Sequence, residues 1–173
     1  MKRHWIPKCL VLFGFLLAPL CAMSATVNRT WVSALGDDAN PCSRTSPCKT
    51  FAGASTKTNP GGEIDVLDAG GFGTVIIDKS LTIDGGESFA GIVATGVNSS
   101  GITVSAGADD VVFLRHLSLS STVFQGHFAA NGIKVVKARA VHVIDCMIRT
   151  TPITASILSP RAKPGCSLAT RSL

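Results

Sequence analysis

The chain has 173 residues, of which 46% are apolar and 16% charged, with 17 Gly, no Tyr and a formal net charge of +5. That length supports one small domain, and so low a charge content excludes disorder driven by charge.

The first segment reads MKRHWIPKCLVLFGFLLAPLCAMSA. Lys2, Arg3 and Lys8 precede an apolar stretch from Cys9 to Leu20, and small residues follow around Ala22, Ser24 and Ala25. This is the three-part pattern of a secretory signal over residues 1–25. A membrane span needs about 20 apolar residues, and this run is shorter, so no stable span is expected once the signal is removed. Lipid attachment at Cys21 is disfavoured because bulky Leu20 stands where a small residue is needed. The expected address is secreted or periplasmic.

The net positive charge comes from the two ends. Lys2, Arg3 and Lys8 belong to the signal, and Arg161, Lys163 and Arg171 lie in an acid-free tail, whereas all 11 acidic residues fall between them. With no basic face left in the middle, nucleic acid is not an expected partner. Of the 6 cysteines, Cys9 and Cys21 leave with the signal. Cys42 and Cys48 are close enough to close a short disulfide loop in an oxidising compartment, with a pair of buried thiols as the other reading. A zinc site would need further Cys or His ligands nearby, which the sequence lacks.

Residues 26–62 read as an N-terminal cap, in which Phe51, Ala52 and Ala54 predict a brief helix ending near Asn59-Pro60-Gly61-Gly62. Over residues 63–149 short β-branched runs alternate with Gly, Asn, Asp and Ser, which predicts an all-β protein. Gly101-Ile102-Thr103-Val104 is followed by Val112-x-Leu114-x-x-Leu117-x-Leu119. Gly132-Ile133-Lys134-Val135 then precedes Val141-x-Val143-x-x-Cys146-x-Ile148. A weaker copy reads Ile64-x-Val66, Val75-x-Ile77 and Leu81-x-Ile83. Three strands per repeat point to a parallel β-helix, with Ile102 stacked on Ile133 and Leu119 on Ile148. A sandwich or barrel also accommodates short strands, but not this repeat spacing.

The stretches WVS-x-x-GDDANPCSRTSPCKTFAGA and GGEIDVLDAGGFGTVIIDKSLTIDG resemble the entrance to right-handed parallel β-helix proteins of the pectin-lyase-like superfamily. The likeness runs from Thr30 to about Arg149 and is nearest to short exported bacterial proteins without an assigned reaction. It implies the fold, export and a surface used on polysaccharides, and it does not imply lyase activity. Cys42 and Cys48 match the pattern of that group, whereas a second cysteine pair, at Val66 and near Asp84, is missing here.

Residues 150–173 change texture, with no rung spacing and with Pro152, Pro160 and Pro164. Back-translating Pro152 to Ser172 with synonymous codons and reading from the third base allows NNGIDFKPTSQTGLFARDTI. That peptide restores the Asn-Gly-Ile found at Asn131-Gly132-Ile133. The tail is therefore expected to be a frameshifted continuation of a longer coil, leaving a C-terminal edge open to self-association.

No catalytic constellation stands out. Asp109 and Asp110 with Arg115, or Lys134 and Lys137, are the candidates for a lyase site, but turn and outward strand positions explain them better. Glycoside hydrolysis needs two carboxyl groups roughly 5 to 9.5 Å apart, which Asp68, Asp78, Asp84 and Asp145 would supply only by converging from adjacent rungs. His116 beside Arg115, and His142 near Asp145, suggest acid–base work, although a strand would turn His142 and Asp145 to opposite faces. Asp37, Asp38 and Asn40 resemble a calcium loop loosely, and ordinary turn chemistry is the preferred reading, so no cofactor is expected. The Gly70 to Gly73 segment lacks the Lys-Ser/Thr of a phosphate loop and reads as a turn. Asn28-Arg29-Thr30 and Asn98-Ser99-Ser100 match glycosylation acceptors. Trp31, Phe124 and Phe128 are the candidate sugar platforms, with packing on the apolar flank as the alternative. The function these features favour is an exported β-helix module that binds an acidic polysaccharide or cell-surface glycan without cleaving it. The alternatives are a lyase or glycoside hydrolase with its site on further rungs, and an adhesin-like fragment.

Overall fold

The computed structural model describes residues 26–94, 99–121, 123–124, 127–128 and 131–149. The expected signal, the glycosylation acceptor Asn98 and the expected frameshifted tail with Cys166 lie outside them. The chain is a β-solenoid of about 4 turns, built from parallel strands that share three faces.

The entry is β1 (Val27–Val32), followed by the disulfide loop and by α1 (Phe51–Lys57). The first turn holds β2 (Thr58–Val66), β3 (Gly70–Gly71) and β4 (Val75–Ile77), and the second holds β5 (Leu81–Asp84), β6 (Ala90–Ala94) and β7 (Ser100–Ser105). In the third, β8 (Val111–Arg115) and β9 (Leu117–Ser121) precede the antiparallel pair β10 (Val123–Phe124) and β11 (His127–Phe128), then β12 (Asn131–Lys137). The fourth contains β13 (Ala140–Ile144) and β14 (Met147–Arg149). One sheet has the order β1-β2-β5-β8-β13, a second β14-β9-β6-β3 and a third β12-β7-β4.

Strand alternation turns every second residue inward, and the parallel register brings these residues into columns. Ile64, Ile83, Leu114 and Val143 form one such column, and Val75, Ile102 and Ile133 another. Both expected stacks are present, since Ile102 pairs with Ile133 and Leu119 with Ile148. The weaker first copy is phased differently from the sequence reading: Leu81–Asp84 opens the second turn by pairing with β2, so it is not the third strand of the first. The expected turn at Gly70 to Gly73 contains β3, after which Phe72 is fully buried. Two glycines left no apolar alternation to reveal that strand.

A solenoid must close its first rung, and the chain does so in two ways. Phe51 of α1 is fully buried and meets Phe72 at 5.2 Å between ring centroids, so the helix inserts an aromatic plug. Thr50 caps the helix by accepting from the Gly53 amide at 2.9 Å. On the outer edge of β1, Trp31 N donates to Cys42 O at 2.8 Å and Cys48 N to Trp31 O at 3.0 Å. The loop carrying these carbonyl and amide groups is closed by a Cys42–Cys48 disulfide, with both residues fully buried. Strand β1 was not foreseen in the sequence, because its apolar alternation is broken by Asn28 and Arg29.

Leu114 is fully buried in the central column, whereas Ile76 on the outer face of β4 is 68% exposed. Leu114→Ala is expected to cost about 2–5 kcal/mol, and Ile76→Ala less than about 0.5 kcal/mol, in urea denaturation. Equal losses at the two positions would contradict the inward stacking.

Candidate functional site

Two surface hollows bring polar side chains together. The first lies at the corner between the β8 and β9 faces. There His116 and Asp145 occupy the same corner of successive turns and both adopt left-handed backbone, with φ of 52° and 50°. The corner below is made by Gly85, where an added Cβ would stand 2.2 Å from the His116 carbonyl oxygen. Glycine at that position lets the turns approach.

His116 Nδ1 lies 2.8 Å from Asp84 Oδ1, which also accepts from the Gly86 amide at 2.8 Å. The opposite ring nitrogen, Nε2, lies 3.9 Å from Asp145 Oδ2, and Arg115 approaches Asp84 at 4.0 Å. Burial opposes ionisation of Asp84, but the His116 hydrogen bond, the Gly86 amide and the charges of His116 and Arg115 outweigh it. The carboxyl is held below the usual carboxylate range. Asp84 and Asp145 thus converge from different rungs, as glycoside hydrolysis would require. The imidazole stands between them, in the space a scissile bond would need. Beside this array is an open hollow of about 210 Å³ lined by Ser88, Phe89, Ser118 and Met147 among others.

Phe89 is 63% exposed, an aromatic side chain at the rim of this hollow that the sequence reading did not single out. It follows the Gly85-Gly86 turn and falls outside any apolar alternation, which is the signal that marks it. Trp31 is half-buried, and Arg29 lies over its ring at 5.8 Å. The Phe124 and Phe128 backbones pair through β10 and β11, while their side chains fall outside the description.

The second hollow, of about 470 Å³, is a cleft between α1 and the outer face of β4 and β7. Ser55, Thr56, Thr74, Ser100 and Thr103 bring hydroxyls to it, and Asp78 and Lys79 bring charges. Lys79 Nζ donates to the Ser55 carbonyl at 2.7 Å, tying the turn after β4 to the helix.

The other candidates have local duties. Asp110 accepts from Ser80 Oγ and from the Gly107 amide, each at 2.6 Å, and these bonds lower its pKa. It belongs to a turn that also joins two rungs, while Arg115 is turned toward Asp84. Lys134 and Lys137 are exposed outward positions of β12. Asp68 accepts from Ser33 Oγ at 2.5 Å and Ala34 N at 2.7 Å, fastening the end of β1. Asp38 accepts from the Lys49 and Thr50 amides at 2.9 Å and from the Thr50 hydroxyl at 2.8 Å. Burial works against its ionisation, yet these donors and the Lys57 charge hold its pKa down. Asp37 accepts from Ala39 N, and the Asn40 amide donates to Pro47 O, both at 2.9 Å, so the loosely calcium-like loop is knitted by its own donors. His142 stacks on Phe113 at 4.6 Å. Cys146 packs against the interior, and burial pushes its thiol above the usual value, away from nucleophilic form.

No family model, curated protein or solved structure matches the chain.

Asp38, Asp84 and Asp110 all have folded pKa values below their unfolded ones, so in the acid range the native state binds fewer protons than the unfolded state. Their contribution is complete above the unfolded value of about 4 and is lost as pH drops through the folded values. The urea midpoint should hold steady from pH 7 to about 5 and decline below about 4, with a shallower decline in Asp84→Asn. A midpoint that rises on acidification would contradict this sign.

Proposed function

We propose that this chain is an exported right-handed β-helix module of pectin-lyase-like type that binds a polysaccharide or cell-surface glycan without cleaving it. The observation that carries the reading is the pairing of open, hydroxyl-lined and aromatic-edged hollows on a rigid flank with acid–base groups engaged by one another. Sugars are held by side chains of this kind, hydroxyls and carboxylates that bond their diols and exposed apolar groups that cover their C–H faces. Rung stacking fixes such groups in place, which lowers the ordering cost of binding an extended chain. Cleavage would require a second free carboxyl group, or a base aimed at an accessible substrate atom, and the described corner spends Asp84 on positioning His116. The test is affinity electrophoresis of the purified protein against acidic and neutral polysaccharides, with an assay for unsaturated and reducing-end products. Retardation without product is expected. Product release, or no retardation on any polysaccharide, would overturn the reading.

A second reading, self-association, is favoured by the far end of the solenoid. Strands β12, β13 and β14 are the last members of their three sheets among the described residues. At that end Val136, Ile144, Met147 and Ile148 are 40–53% exposed. Unpaired edges with apolar neighbours template pairing with another chain. Sedimentation should then show the average mass rising with concentration, and a monomer at every concentration would remove this reading.

A further inference from the structure

The loop closed by Cys42 and Cys48 provides for its sulfurs in the reduced state as well as in the disulfide. Lys57, the last residue of α1, reaches back into the loop. Its ammonium group donates to Asp38 O and Asn40 O and stands 3.6 Å from Cys48 Sγ. Both acceptors are neutral, so the positive charge remains beside the sulfur. The Asp38 carboxylate also feels that charge, but its oxygens are turned to the Lys49 and Thr50 amides and the Thr50 hydroxyl. Asn40 O lies 3.9 Å from Cys42 Sγ, where it would accept from a Cys42 thiol. The loop's grip on β1 uses main-chain groups, Trp31 N to Cys42 O, Cys48 N to Trp31 O and Ser33 N to Cys48 O, and none of these needs the sulfur–sulfur bond.

We infer that Cys42 and Cys48 form a reversible redox site in the cap, opened by a dithiol at Cys42 and holding its negative charge on Cys48 beside Lys57. The inference is independent of the glycan-binding reading. A thiolate of the dithiol attacks Cys42 Sγ, a new sulfur–sulfur bond forms there, and the electron pair of the Cys42–Cys48 bond leaves on Cys48. The sulfur better able to bear charge is the better leaving group, and an adjacent ammonium makes it so. The second thiol of the reagent loses its proton to solvent and displaces Cys42, which takes a proton from water. The dithiol ends as a cyclic disulfide, and the protein disulfide ends as one thiol and one thiolate. Both cysteines are fully buried, so attack requires the loop tip to swing aside. Arg44 and Thr45 at that tip are exposed, and Ser46 N bonds within it, to Ser43 O at 3.2 Å and Ser43 Oγ at 3.1 Å.

The test equilibrates the full chain, without denaturant, in mixtures of reduced and oxidised dithiothreitol near neutral pH. Free thiols are then trapped and assigned by peptide mass spectrometry. The equilibrium constant for reduction should fall by about tenfold in Lys57→Met, the scale of one lost charge interaction, and stay within about threefold of wild type in Lys57→Arg. A second measurement is made on the wild-type chain, reduced and given a trace of iodoacetamide. Cys48 should be alkylated at least about threefold faster than Cys42, since the thiolate is the nucleophile. That comparison decides the matter even where Lys57→Met loosens the loop. A disulfide that stays closed at every dithiothreitol ratio, equal reduction constants in wild type and Lys57→Met, or alkylation of Cys42 as fast as Cys48 would overturn the assignment.

Discussion

Everything in this protein depends on parallel register between successive turns. One turn of chain encloses too little volume to bury its own inward side chains, so Ile83 is sheltered by Ile64 on one side and Leu114 on the other. The same register carries the outward residues with it. Thr82, Phe113 and His142 fall into an outer column, as do Asp84, Arg115 and Ile144. A shift of one residue would exchange the two faces, burying charges and exposing the core, so apolar alternation holds the surface groups in place as firmly as it holds the interior. The Asp84–His116–Asp145 array is a direct result, since its three members belong to different turns and share only a corner.

The two ends obey this constraint unequally. At the start, α1 supplies Phe51 to the interior and the disulfide loop occupies the outer edge of β1, so the first column member in each sheet is covered. At the other end of the described residues, Val143, Val135 and Ile133 are only half-buried, although their counterparts Leu114, Val104 and Ile102 one turn earlier are fully buried. The interior thus becomes less sheltered toward β13 and β14. That gradient follows from stacking alone, because a terminal rung has a neighbour on one side only.

The repeats at Ile102 and Ile133 made the solenoid legible, because strand length, turn residues and rung spacing agreed. Helix α1 was legible from Phe51 and Ala54, and its end at Lys57 comes just before the Asn59-Pro60-Gly61-Gly62 stretch expected to stop it. Strand β3 was not legible: Gly70 and Gly71 carry no side chains to alternate, and only pairing with Ala90 and Gly91 makes them a strand. The site was less legible than the fold. Asp84, His116 and Asp145 were each visible as residue types, yet their meeting depends on left-handed corners at His116 and Asp145, which residue type alone does not announce although both types tolerate that backbone. The cleft beside α1 joins helix residues to two strands from different turns, and no local pattern records such a meeting.

The most direct test of parallel stacking is an NMR measurement of cross-strand contacts on isotopically labelled protein, because pairing geometry distinguishes a solenoid from a sandwich of the same short strands. In antiparallel strands, non-hydrogen-bonded partners have Cα atoms about 4.5 Å apart, which gives strong Hα–Hα contacts. The register described here predicts Hα-to-amide contacts linking the Ile64, Ile83, Leu114 and Val143 column and the Ile102–Ile133 pair, without strong Hα–Hα contacts between those residues. Strong Hα–Hα contacts between neighbouring strands such as β8 and β9, with none across these columns, would contradict the stacked parallel fold and both hollows that it creates.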